Sequence, residues 1–430
     1  MFLLFLSSGL FLGWSLGAND AANIFGTAVG TRMVRFKTAA ILCGIGVILG
    51  AVIAGSGTTD TITKLGSVEM PAAAFTICLA AGLTVFWLTK IALPVSTSQA
   101  IIGAIVGFNL FAHAATDFSI LLRIVVTWVA GPILAGAVAY ILYRFTSLCG
   151  PRIRLHMLKE DALVRSGLLI VGLFGAFSLG SNNIANVTGV FMNSTPLHDM
   201  ELFPWLTIPR ERLLFLIGGL SIAVGVFTYS RRVMNTLGRD LFRLSPITAL
   251  IVVFAHSIVL FLFSSVAFKS FLTDHGLPSL PLVPLSSSQA VVGAILGIGL
   301  AKNLWGIRIR IIGEIAVGWV ATPLVAGILC FFLLFFIRNV FELPVTSPVT
   351  PVEVNERISS ASRYSVDSFT NCPRKIDSGA SHKHACGLGS ALDALGAGLS
   401  GEDGLNQFPR LRSYSFSEHR HTRWTNLNHS

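Results

Sequence analysis

The chain predicts an all-α polytopic membrane protein: two inverted five-segment repeats, with helices broken by polar cassettes and with Ser/Thr-rich hairpin tips. Three observations predict it. Hydrophobic residues make up 53% of the 430 and charged residues only 12%, against about 25% charged in a soluble domain. Mean hydropathy is +0.72. Two polar cassettes each occur twice. Gly17-Ala18-Asn19-Asp20-Ala21-Ala22-Asn23 returns as Gly180-Ser181-Asn182-Asn183-Ile184-Ala185-Asn186, and Pro94-Val95-Ser96-Thr97-Ser98-Gln99-Ala100 returns as Pro284-Leu285-Ser286-Ser287-Ser288-Gln289-Ala290.

The elements follow in order. Apolar segments fall at about 2–29, 38–57, 71–93, 94–112, 118–143, 163–192, 211–229, 246–271, 284–301 and 309–337. Most approach the ~20 residues that a helix needs to cross the hydrocarbon core. Segment one begins apolar at residue 2, without a basic stretch or small-residue cleavage site, so it reads as a membrane helix and not as a signal peptide. Segments one and six carry the Asn cassettes in their interiors. Segments four and nine open on the Ser/Thr cassettes.

Basic residues fix an orientation. Arg32, Arg35 and Lys37 follow segment one; Arg144, Arg152, Arg154, Lys159 and Arg165 separate five from six; Arg231, Arg232, Arg239 and Arg243 separate seven from eight; Lys302, Arg308 and Arg310 separate nine from ten. Placing all four clusters in the cytoplasm is consistent with ten simple crossings and both termini outside. Five crossings per half is odd, so the halves enter from opposite sides, the inverted arrangement that supplies alternating access. The expected divisions are 1–150 and 151–340 for the two repeats and 341–430 for a disordered, Ser- and Gly-rich tail. The second half is longer between its cassettes, which places an insertion around 193–212 or 230–246.

Composition also excludes. The net charge of +10 is spread over short inter-segment clusters, a topology signal and not a nucleic-acid face. Six cysteines are scattered without a CxxC pair. There is no P-loop or HExxH motif, so neither an enzyme nor an ATP-driven pump is indicated, and no cofactor is expected beyond a coupling cation, Na⁺ or H⁺.

The cassettes carry the chemistry. Polar residues at membrane depth are costly unless they line a protected cavity. Paired interruptions in two halves point to the binding site of a secondary transporter. Gly17 with Asn19 and Asp20 is expected to unwind a turn and expose carbonyls for a cation. Asp20 adds a hard carboxylate ligand. Asn183 stands where the first cassette has Asp20, keeping the carbonyl oxygen without the charge. The candidate cation ligands are therefore Asn19, Asp20, Asn182 and Asn183. In the other cassette, proline followed by hydroxyls at a helix start sets unbonded N–H groups beside hydroxyl donors, a nest for a tetrahedral oxyanion. Ser96, Thr97, Ser98, Gln99, Ser286, Ser287, Ser288 and Gln289, with Asn23 and Asn186, are the candidate anion ligands.

Over residues 1–340 these motifs resemble the inorganic phosphate transporter (PiT) family, which includes sodium- and proton-coupled phosphate permeases and some sulfate permeases. The resemblance implies phosphate held between the Ser/Thr tips and the broken helices, cations beside it, and re-entrant hairpins at the tips. Asn183 departs from the second Asp of the family motif and leaves room for sulfate. The expected partners are inorganic phosphate or sulfate, the cation and the bilayer of the cell membrane, with a homodimer compatible and no nucleic acid.

Overall fold

The computed structural model describes residues 2–66, 68–90, 95–149, 156–203, 206–236, 244–302 and 309–346. All lie in the first of two units, Met1–Ser347. The polar tail expected from 341 lies, from 347 onward, outside the described residues.

Helices dominate. The first half holds α1 (Phe2–Gly30), α2 (Phe36–Ala54), α3 (Ser56–Gly66), α4 (Pro71–Lys90), α5 (Thr97–Phe111) and α6 (Phe118–Cys149). The second holds α7 (Met157–Thr188), α8 (Arg210–Thr228), α9 (Ser230–Thr236), α10 (Pro246–Ser264), α11 (Val266–Asp274), α12 (Ser287–Ala301) and α13 (Ile309–Val340). A short antiparallel hairpin, β1 (Met200–Phe203) with β2 (Leu206–Ile208), lies between α7 and α8.

Among the described residues eight helices are long and apolar enough to cross a membrane: α1, α2, α4, α6, α7, α8, α10 and α13. The ten simple crossings are therefore corrected. Segments 94–112 and 284–301 are not spanning helices. α5 and α12 have 15 residues each, about 22 Å at 1.5 Å per residue, short of a ~30 Å core. In the second half, 277–286 runs as non-helical chain into the start of α12, with Val283, Leu285 and Ser286 buried. Non-helical backbone at that depth survives only where protein covers it.

The expected breaks at the Asn cassettes are absent as well. α1 and α7 run as continuous helix through residues 17–23 and 180–186. The glycines there serve close approach. A Cβ on Gly17 would sit 1.9 Å from the carbonyl oxygen of Ile222, and one on Gly180 would sit 2.1 Å from that of Val47. Small residues let membrane helices touch along their backbones. The interruption is at the Ser runs instead.

Packing exchanges the halves. α1 lies along α8 while α7 lies along α2; α5 lies along α13 while α12 lies along α6. Each pairing between halves thus has its counterpart. Pro132 in α6 and Pro323 in α13 occupy matched places, and their carbonyls face α12 and α5 respectively. The outer faces of α6 and α13 are apolar and exposed, with Leu122, Val129 and Ile133 on one and Val320, Leu324 and Ile328 on the other.

The insertion divides. Part is the β-hairpin region, as expected within 193–212. The 229–245 connection matches 55–70 in length and adds almost nothing. The rest is 265–286, containing α11, where the first half joins α4 to α5 through only 91–96.

Candidate functional site

Both Ser runs sit at the N-termini of the short helices. Ser96 caps α5 by accepting from the Gln99 N–H at 3.3 Å, and Ser286 caps α12 by accepting from the Gln289 N–H at 3.3 Å. The first serine of each run thus serves its own helix. The N–H groups of the next two residues, Thr97 and Ser98 or Ser287 and Ser288, have no intrahelical acceptor. The two helix starts meet: the Ser98 hydroxyl reaches the Leu285 carbonyl oxygen at 3.3 Å. Two positive dipole ends converge on one buried place.

The Asn cassettes close around it. Asn23 on α1 donates through Nδ2 to Ser287 Oγ at 3.0 Å. Asn186 on α7 donates to Ser98 Oγ at 2.9 Å. Asn183 Oδ1 collects donors from Asn182 Nδ2 at 3.0 Å, Asn186 Nδ2 at 3.1 Å and Ser98 Oγ at 3.4 Å. Asp20 is 2% exposed and accepts from Asn19 Nδ2 at 2.8 Å. Thus Ser98, Ser287, Asn23, Asn183 and Asn186 are brought into one network. Asn19 and Asp20 lie on the same helix one turn before Asn23. Ser286 Oγ is 3.3 Å from Ser288 Oγ.

Several buried polar atoms make no hydrogen bond among the described residues: Thr97 Oγ1, Gln99 Oε1, Gln289 Oε1, Asn186 Oδ1 and Asn183 Nδ2. They belong to three of the four cassettes, on α5, α7 and α12, and such groups cost free energy unless something answers them. The set contains donors for an anion and carbonyl oxygens for a hard cation.

Asn182 has another task. Its Nδ2 donates to the Leu285 carbonyl at 2.7 Å and its Oδ1 accepts the Leu285 N–H at 2.9 Å. One side-chain amide replaces the backbone partner that the non-helical stretch before α12 lacks. Asn182→Ala would leave a buried N–H and C=O unanswered, at about 1–3 kcal/mol each. The expected result is a lower melting temperature in detergent. Wild-type stability in that variant would show that the clamp contributes nothing.

One residue of the network escaped the sequence reading. His256 on α10 is fully buried, with Nε2 3.0 Å from Ser287 Oγ. The available signal was a lone histidine inside an otherwise apolar membrane segment.

Known proteins can now be set beside this geometry. The model of the phosphate transporter family matches residues 16–158, 151–330 and 279–373. A protein of Methanocaldococcus jannaschii named as a phosphate permease is 28% identical over 323 residues, covering 75% of this chain and 93% of its own. The sulfate permease CysP of Bacillus subtilis is 32% identical over 301 residues, covering 68% of this chain and 76% of its own. A solved structure titled as the sodium-dependent phosphate transporter shares the fold, with a TM-score of 0.61 over 78% of this chain and 99% of that one at 22% identity. With multi-pass helices, permease relatives and a family model matched along nearly all of the membrane region, the chain belongs to the phosphate transporter family.

Proposed function

We propose that this protein is a secondary active transporter that moves inorganic phosphate across the cell membrane together with Na⁺ or H⁺. The observation that carries the reading is the meeting of two helix N-termini, each opening on a hydroxyl run, inside a buried network completed by both Asn cassettes. Amides and hydroxyls at helix starts hold oxyanions without a fixed positive charge. The donors that remain open to an anion are the Thr97, Ser287 and Ser288 hydroxyls and the N–H groups of residues 97, 98, 287 and 288. Asp20 gives the site one fixed negative charge. Among the described residues it makes no ion pair, and a carboxylate at membrane depth calls for a cation or a proton. The carbonyl oxygens of Gln99, Gln289 and Asn186 are further hard acceptors.

The test is uptake of labelled phosphate into proteoliposomes under separate Na⁺ and pH gradients. Uptake driven by either gradient supports the reading, and passive, uncoupled flux defeats it. Thr97→Ala and Ser287→Ala should each weaken anion binding roughly 10- to 150-fold, the loss of one hydrogen bond of about 1.5–3 kcal/mol to a charged group. Unchanged affinity in both would remove the hydroxyls from the site.

Sulfate is the second reading. Asn183 removes a carboxylate from the family motif, and the sulfate permease of B. subtilis is the relative of higher identity quoted above. Sulfate competing with phosphate at equal or lower concentration would favour it.

A further inference from the structure

His256 stands behind the anion site and not in it. Its only described hydrogen bond runs from Nε2 to Ser287 Oγ, and its Nδ1 is buried with no partner among the described residues. Ser287 Oγ is also the acceptor of the Asn23 amide. A serine hydroxyl has one proton to give and two lone pairs to receive. Asn23 takes one lone pair. The state of His256 Nε2 then decides what the hydroxyl proton does. In the neutral ring with its proton on Nδ1, the tautomer the coupling requires, Nε2 is bare, and Ser287 donates to it and has no proton for an anion. If Nε2 carries a proton, it takes the second lone pair, and the Ser287 proton must point elsewhere, toward the helix starts where an oxyanion sits.

We propose that His256 is a positioning residue that links proton binding to anion binding by orienting the Ser287 hydroxyl. Protonation places a proton from the adjoining solution on the imidazole. Both ring nitrogens are then donors, Nε2–H is fixed on Ser287 Oγ, and Ser287 becomes an obligatory donor to the anion. By reciprocity, anion binding favours the protonated ring by the same factor. The inference rests on the reading of the Ser runs as an oxyanion site.

The surroundings leave few rivals for this proton. The elements packed against α10 are α1, α3, α6, α7 and α12. α12 carries no ionisable side chain. Asp60 and Lys64 on α3, Arg123, Tyr140 and Arg144 on α6, and Lys159, Glu160, Asp161 and Arg165 on α7 are exposed, and Tyr143 and Cys149 on α6 are half-buried near its end. Asp20 on α1 is the one buried carboxylate facing this region from those elements. It is bonded to Asn19, one turn from Asn23.

The experiment measures the half-saturating phosphate concentration for exchange in proteoliposomes at pH 5, 6 and 7, for wild type, His256→Gln and Ser287→Ala. Glutamine offers an N–H where Nε2 stands but does not titrate. Phosphate changes its own ionisation over this range equally for all three proteins, so the differences are what count. Wild type should lose affinity by about 10-fold from pH 5 to 7 beyond the change seen in His256→Gln, inside the 5- to 150-fold range of coupled sites. Ser287→Ala, which keeps the histidine but lacks the hydroxyl, should show the same flattened profile as His256→Gln. A His256→Gln or Ser287→Ala profile parallel to wild type would overturn the inference. If His256→Gln does not assemble, Ser287→Ala alone decides. Absence of any phosphate or sulfate exchange by wild type would instead defeat the transport reading itself.

Discussion

Asp20→Asn is expected to abolish the dependence of uptake on its driving cation. The substitution keeps size and the Asn19 contact within reach but removes the single fixed negative charge of the two Asn cassettes. Charge at membrane depth is worth several kcal/mol, so affinity for the coupling cation should fall about 100-fold or more. Asn183→Asp is the complementary change. Asn183 Oδ1 already has three donors, while its Nδ2 is buried without an acceptor among the described residues. A carboxylate there replaces that unanswered donor with an oxygen. It should tighten cation binding or raise the number of cations moved per anion. Uptake rate against cation concentration for wild type and both variants is the measurement. A normal cation dependence in Asp20→Asn would make the carboxylate structural.

Gly180→Val should damage the fold more than any single change at the anion site. The new Cβ would lie 2.1 Å from the Val47 carbonyl oxygen, with Val47 C and Cα at 2.8 Å. All three are backbone atoms of α2, which no rotamer change can move. Overpacking usually costs about 1–3 kcal/mol, and a clash with a fixed helix belongs at or above the upper end. The expected result is loss of the monodisperse species or a large fall in melting temperature. Gly17→Val, facing the Ile222 carbonyl, should behave alike. Gly313→Ala is the control, because no described residue lies within 4 Å of the added Cβ, and it should stay within about 0.5 kcal/mol of wild type. Equal stability of Gly180→Val and Gly313→Ala would contradict the packing described.

These glycines also show what a sequence can and cannot tell. The Asn cassettes were visible because they are polar, duplicated and embedded in apolar chain, and the structure brings Asn23, Asn183 and Asn186 to the Ser runs. Gly17 and Gly180 were misread as helix breakers. The same residue serves a kink or a close contact, and only the partner helix distinguishes the two. Asn182 was counted with the cation ligands because it stands where the first cassette has Asn19, whereas its amide is held by the Leu285 peptide, more than a hundred residues away in the chain. The short helices were hidden in hydropathy, because the non-helical stretch before α12 is as apolar as a helix would be. His256 needed only closer attention to a histidine among aliphatic neighbours.

The exchange of helices between halves has a consequence for how the chain is made. α1 and α2 leave the ribosome first, yet the helices that their glycine faces fit, α8 and α7, are synthesised more than a hundred residues later. α5 likewise waits for α13, the last spanning helix among the described residues. Until then the first half sits in the membrane with its tightest contacts unmade and Asp20 without the walls that enclose it. Final assembly is therefore post-insertional, set by the arrival of α13, and a ribosome stalled before residue 309 would leave a product that is inserted but unclosed.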